Sequence, residues 1–259
     1  MVYFVGAGSG AADLITVRGA RLLAEADQII YAGSLVNPEL LEYKKDGCVV
    51  HNSAKMTLEE VISAIQEAER EKKMTVRLHT GDSSIYGAIR EQMDLLERLE
   101  IAYEVCPGVS SFCGAAAALQ LEYTLPGISQ SVIITRLEGR TPVPERERLA
   151  SLASHQATMV IFLSAGMTER LQQELLTGGY PASTPAAIVY KATWPEEKKI
   201  LCTVGTLAES AKREGISKTA LILVGEVISH SLYERSKLYD PSFTTEFRKG
   251  TKTDASGTD

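Results

Sequence analysis

Three short stretches place small and polar residues where apolar runs stop, and each suits a polar ligand held through main-chain groups. "VRLHTGDSSIYGAI", residues 76–89, runs as an apolar strand into Thr80, Gly81, Asp82, Ser83 and Ser84, then into a helical pattern. "GAGSGA", Gly6 to Ala11, follows the apolar run Val2 to Val5, and "PGVSS", Pro107 to Ser111, follows a strand-like run. A glycine turn between strand and helix lets backbone amides approach a polar group at the helix N-terminus. Asp82 is the one ionisable group of the central turn. It suits either an N-cap for a helix starting near Ser84 or a ligand contact.

A dinucleotide, a different adenosyl ligand and a plain structural turn all use such loops. The dinucleotide reading also wants a carboxylate ending the second strand to hold a ribose, and that strand ends "IIYAGS" without one. Its helix starts late as well, because Thr16 is the expected N-cap, with Val17, Ala20, Leu23 and Ala26 following at helical spacing.

The elements that must position these loops alternate regularly. Strands are expected at Gln28–Ala32, Thr75–His79 and Ala102–Cys106, and helices at Leu58–Lys72, Ile85–Leu99 and from about Ser110. This alternation predicts an α/β domain over residues 1–120, mainly a parallel sheet with helices on both faces. "LEYTLPGISQ", with Pro126 and Gly127, marks a linker over 121–130. Beyond it, strands at Ser131–Thr135, Thr158–Leu163, Ala186–Tyr190, Lys199–Thr203 and Ala220–Val227 outnumber helices at Glu145–Ser154, Thr168–Thr177 and Leu207–Arg213. A second α/β domain with a mixed sheet is expected over 131–240. Residues 241–259 form an extension whose end, "KGTKTDASGTD" from Lys249, lacks an apolar anchor and reads as a mobile tail.

Bulk properties narrow the partners. In 259 residues, 44% hydrophobic and 23% charged, the chain has the composition of a globular protein with a real core. A net charge of −6 disfavours nucleic acid, which needs clustered excess Lys and Arg, but allows a small anionic ligand in a locally basic cleft. No signal segment and no bilayer-length apolar run is evident, so a cytoplasmic protein without membrane contact is expected. Cys48, Cys106, Cys113 and Cys202 lack metal-ligand spacing and read as reduced, mostly buried thiols; His51, His79, His155 and His230 are too scattered for a metal set.

With these loops in view, the chain resembles the tetrapyrrole methylases, S-adenosylmethionine-dependent enzymes of corrin and sirohaem synthesis. "VGAGSGAADLITVRGARLLAEAD", "HTGDSSIYGA" and "PGVSS" fit the family's N-terminal motifs in order and spacing, and the likeness covers about residues 1–248. "TRLEGRTPVPE", "FLSAGMTE", "VYKATWPEEK" and "YERSKLYDPSFTTEFR" resemble the branch that methylates C11 of precorrin-4, in its cobalt-carrying or metal-free form. Ser9, Ala11 and Ser83 stand where the family often has Pro, Asp and Pro.

The resemblance implies a two-domain homodimer that folds its methyl donor between the domains beside an anionic tetrapyrrole. Carried over by position, donor contacts fall on Ser9, Thr80, Gly81, Asp82, Ile85, Ser110, Ser111, Leu163, Ser164 and Ala192. Asp82 is also the candidate catalytic group. Arg90, Arg136, Arg140 and Lys191 are the cations expected to meet the substrate's carboxylates, with Trp194 as an aromatic wall. Methylation at another tetrapyrrole position, or of uroporphyrinogen, is the alternative within the family; a nicotinamide-dependent oxidoreductase is the alternative outside it.

Overall fold

The computed structural model describes residues 1–229, 233, 234 and 236–251; His230 and the end of the expected tail lie outside the described residues. Strand β1 (Val2–Gly6) leads to α1 (Val17–Glu25), whose Thr16 N-cap oxygen accepts from Gly19 N at 3.0 Å. There follow β2 (Gln28–Tyr31), β3 (Val49–Asn52), α2 (Leu58–Arg70), β4 (Thr75–His79), α3 (Arg90–Arg98), β5 (Tyr103–Cys106) and α4 (Ser111–Leu119). The second half contains β6 (Val132–Arg136), α5 (Leu149–Ala153), β7 (Thr158–Phe162), α6 (Thr168–Thr177), β8 (Pro185–Tyr190), β9 (Lys198–Thr203), α7 (Leu207–Arg213) and β10 (Ala220–Val224).

The first sheet has the order β3-β2-β4-β1-β5 and is parallel throughout. Alternation along β1 sends Val5 toward α1 and sends Val2 and Phe4 toward α2 and α3, so both faces are covered. The second sheet, β6-β7-β10-β8-β9, is mixed: β6 and β7 are parallel, while β10 runs antiparallel to both β7 and β8. Helix α4 joins the halves, packing Ala115 and Phe112 into the cluster that contains Val160, Val189 and Leu223 of the second sheet.

Two local expectations are corrected. Helix α3 starts at Arg90 rather than Ile85, because Tyr86 and Ala88 hold φ of 55° and 49°, which a right-handed helix excludes. Asp82 therefore caps a turn and not a helix. Of the cysteines only Cys106 is buried; Cys113 is exposed on α4, and Cys48 and Cys202 are half-buried. Strand β3 lay outside the sequence expectations, since four residues at a half-exposed edge leave little alternation to read.

Strands β4, β1 and β5 are neighbours, so their carboxyl ends bring the three glycine loops to one point. The connections leaving β1 and β4 also run in opposite directions along the sheet, the topology that opens a crevice at that edge. Gly8 N donates to Gly81 O at 3.2 Å and Gly81 N to Gly8 O at 2.9 Å, with φ of 85° and 62°. Both angles suit glycine. The third loop packs against this bridge main chain to main chain: a Cβ on Gly108 would lie 2.2 Å from Gly81 O and 2.7 Å from Gly6 Cα. Gly108→Ala is expected to cost about 1–3 kcal/mol by overpacking, read by chemical denaturation. A loss below about 0.5 kcal/mol, the range of an ordinary surface change, would contradict this packing.

Candidate active site

Asp82 ties the second loop to the third. Its Oδ2 accepts from Gly108 N at 2.7 Å, and its Oδ1 accepts from Ser84 N at 2.9 Å and from the Ser84 hydroxyl. Burial pushes the Asp82 carboxyl up, but the hydrogen bonds from Ser84 and Gly108 outweigh it and hold the group below its usual range. With both oxygens engaged in loop contacts, Asp82 lies beneath the cleft lining and not in it.

The opposing wall comes from the turn between β8 and β9. Thr193 Oγ1 lies 3.1 Å from Ser9 Oγ and accepts from Ala11 N at 3.0 Å, while Thr193 N donates to Glu197 Oε2 at 2.7 Å. Thr193 is β-branched yet sits at φ 68°, a conformation worth about 1–3 kcal/mol of strain that surrounding contacts must hold. Trp194 presses on the first loop so closely that a Cβ on Gly10 would fall 2.2 Å from its Cδ1. At the other end, the Tyr86 and Phe162 rings meet across the halves at 5.5 Å. Between these contacts lies a cleft of about 860 Å³.

Of the expected donor contacts, Ser9, Thr80, Ile85, Ser111, Leu163 and Ala192 line this cleft. Gly81 and Ser110 sit behind them in the loops. Ser164 is fully buried, its hydroxyl donating to Phe162 O at 2.7 Å and accepting from Leu137 N at 2.9 Å, so it braces the wall from within. Of the expected substrate contacts, Lys191 and Trp194 line the cleft. Arg90 points along α3 to Asp94 at 2.6 Å and Glu97 at 3.1 Å, and Arg136 donates to Thr141 O and Pro142 O at 3.1 Å each. Those guanidinium groups serve local acceptors. Arg140 is exposed outside the lining.

Sequence reasoning missed Lys218, which lines the cleft with Ser217 and Thr219. Lys218 lies in none of the motifs that carry the other expected cations, and it precedes a strand rather than following one. Because β10 runs antiparallel to β7 and β8, the turn entering β10 reaches the same sheet edge as the turns leaving those two. A lysine in "GISKT" immediately before an apolar strand was the available signal.

Lys191 and Lys218 are the charged groups of the lining among the described residues, and no carboxylate joins them there. His79 also lines the cleft; burial, with the Arg77 charge second, pushes its pKa down to about 3, so it is neutral at physiological pH. Its Nε2 is buried without a hydrogen-bond partner among the described residues. Arg77 donates from Nε to Gln92 at 2.9 Å and from Nη1 to Ile30 O at 2.8 Å, and burial lowers its pKa to about 10.

Asp82→Asn keeps the shape of the side chain but sets an amide donor against Gly108 N or Ser84. It is expected to cost about 1–3 kcal/mol near neutral pH. The folded-state pKa lies below the unfolded value, so the carboxylate's contribution is complete above the unfolded pKa and is lost as pH falls through the folded one. Denaturation curves of the two proteins are expected to converge below about pH 4; a gap unchanged at acid pH would remove this role for Asp82.

The sequence model of the Tetrapyrrole (Corrin/Porphyrin) Methylases matches residues 1–208. A cobalt-precorrin-4 C(11)-methyltransferase of Methanocaldococcus jannaschii is 54% identical over 251 residues, covering 97% of both chains. Among solved structures, a cobalt precorrin-4 methyltransferase described as a cobalamin biosynthetic enzyme superposes with a TM-score of 0.86 at 47% identity, over 88% of this chain and 95% of that one. A uroporphyrin-III C-methyl transferase from Thermus thermophilus, complexed with S-adenosyl homocysteine, gives 0.76 at 27% identity over 89% and 99%. A parallel sheet whose three glycine loops face a mixed sheet across one cleft, together with these likenesses, makes the chain a member of the tetrapyrrole methylase family.

Proposed function

We propose that the protein transfers a methyl group from S-adenosylmethionine to C11 of cobalt-precorrin-4, giving cobalt-precorrin-5. The observation that carries this reading is a cleft between the halves whose charged side chains, among the described residues, are Lys191 and Lys218, in a chain of net charge −6. Such a cleft favours a ligand rich in carboxylates against the field of the whole molecule. The names borne by the nearly full-length relative and the superposed enzyme support the same acceptor.

The residues present fit the donor. Ser9, Thr80 and Ser111 offer hydroxyls and main chain from the glycine loops, while Ile85, Leu163 and Ala192 offer apolar surface from both sides. His79 fits because its neutral imidazole, whose Nε2 has no hydrogen-bond partner among the described residues, adds no positive charge to a cleft that would hold a sulfonium. When bound, S-adenosylmethionine supplies an activated methyl carbon. The protein's share is then to hold an electron-rich ring carbon in line within about 3–3.5 Å and to exclude water. Trp194 and Tyr86 give the ring aromatic surfaces, and Lys191 and Lys218 take its carboxylates. Asp82 acts on loop geometry rather than on the reacting atoms.

No helix among the described residues is long and apolar enough to cross a membrane. A cytoplasmic homodimer, divided at 121–130 into domains of residues 1–120 and 131–240, completes the reading.

Incubation with S-adenosylmethionine and either cobalt-precorrin-4 or its metal-free form is expected to add one methyl group by mass, with carbon NMR placing it at C11. Gain on uroporphyrinogen III with none on either precorrin would overturn the assignment. Lys218→Ala is expected to raise the acceptor KM about five-fold, the scale of one partly exposed ion pair, without changing the Kd for S-adenosylhomocysteine. Equal weakening of both would remove Lys218 from the acceptor site.

A further inference from the structure

Lys191 is the best-fixed cation of the cleft. Its backbone holds φ 46°, and its Nζ lies 5.1 Å from the centre of the Trp194 ring and 5.9 Å from that of Tyr190. The two rings therefore flank the ammonium. Its third contact is of a different kind: Glu196 Oε1 at 3.1 Å, from a side chain that is 60% exposed and belongs to the rim rather than the lining. The neighbouring Glu197 makes the contrast plain, because its carboxylate is 24% exposed and holds Thr193 N at 2.7 Å as part of the turn. One acid builds the turn. The other meets its own backbone amide and the lysine that the cleft presents to a ligand.

We propose that Glu196 is a resident carboxylate that occupies Lys191 until a carboxylate of the acceptor displaces it, making Glu196 a specificity-determining residue of the acceptor site. The proposal rests on the reading of an anionic tetrapyrrole acceptor. An exposed ion pair contributes little, so one carboxylate replaces another on Lys191 at small net cost while the ring gains the Trp194 surface. A ligand with no carboxylate in reach of Lys191 leaves the original pair in place and draws no ion pair from this wall. Glu196 thus competes with any ligand carboxylate that seeks Lys191 and leaves ligands without one unopposed, which sets how strongly this wall selects for carboxylates.

Two readouts test this. Trp194 is the single tryptophan of the chain, so its emission reports ligands at this wall directly. Titration with uroporphyrin, a flat octacarboxylate, is expected to quench that emission in the wild type. Glu196→Gln and Glu196→Ala are both expected to tighten binding about three- to five-fold, with the gain shrinking in high salt. In turnover, both variants are expected to lower the KM for cobalt-precorrin-4 by a similar factor with kcat within about two-fold and with the Kd for S-adenosylhomocysteine unchanged. Glu67→Gln on α2 makes the same change in net charge away from the cleft and is expected to shift none of these values.

Unchanged or weaker uroporphyrin binding in both variants overturns the proposal, whether or not cobalt-precorrin-4 is methylated. So does tighter binding of S-adenosylhomocysteine, which would assign the exchanged carboxylate to the donor, or an equal effect from Glu67→Gln, which would assign it to overall charge. Absence of quenching in every variant overturns it as well. Tighter uroporphyrin binding without methylation of cobalt-precorrin-4 supports the carboxylate exchange and overturns only the C11 assignment.

Discussion

Because the loops after β1, β4 and β5 meet main chain to main chain, every other part of the cleft takes its position from them. The Gly8–Gly81 bridge, the seating of Gly108 against it and the two-sided grip of Asp82 lock three connections that are far apart in sequence. This differs from the usual use of a glycine loop, in which amides are left free to approach a phosphate. Here the amides of Gly8, Gly81 and Gly108 serve the loops themselves. What faces the cleft is the row of small side chains that this closure leaves outward, including Ser9, Thr80 and Ser111.

The two halves meet across that edge through strained residues on both sides. Tyr86, Leu163, Lys191, Thr193 and Thr219 all hold positive φ, and all lie in or beside the cleft. Strain gathered around one site persists only where neighbours over-determine it. Thr193 shows how, with its hydroxyl on Ser9 and Ala11 and its amide on Glu197. The buried Arg77 contributes from below. Its charge, added to the stronger effect of burial, keeps His79 neutral at physiological pH.

Much of this was legible because the signals were local. Strand-end glycines announced the three loops, the Thr16 cap and the helices Thr168–Thr177 and Leu207–Arg213 fell where spacing put them, and the strands of the mixed sheet shifted at most a few residues. What escaped depends on partners distant in the chain. Nothing in "SSIYGAI" shows that Tyr86 and Ala88 adopt left-handed backbone, because neither is a residue type that invites it. The arginines at 90, 136 and 140 looked like cleft cations by their place in motifs, yet two of them had acceptors close at hand on their own helix or loop. Lys218 was overlooked for the opposite reason, since only the antiparallel course of β10 brings it to the edge.

The division of labour between the two walls has an evolutionary consequence. On one side, geometry is set by main-chain contacts, by the glycines that permit them and by the Asp82 carboxylate, so the remaining side chains there can drift without moving the scaffold, as Ser9 and Ser83 in place of prolines illustrate. On the other, charge and aromatic surface are set by individual side chains such as Lys191, Trp194 and Lys218. New acceptors are therefore most readily acquired by rewriting the second wall, while the first passes unaltered from one activity to the next.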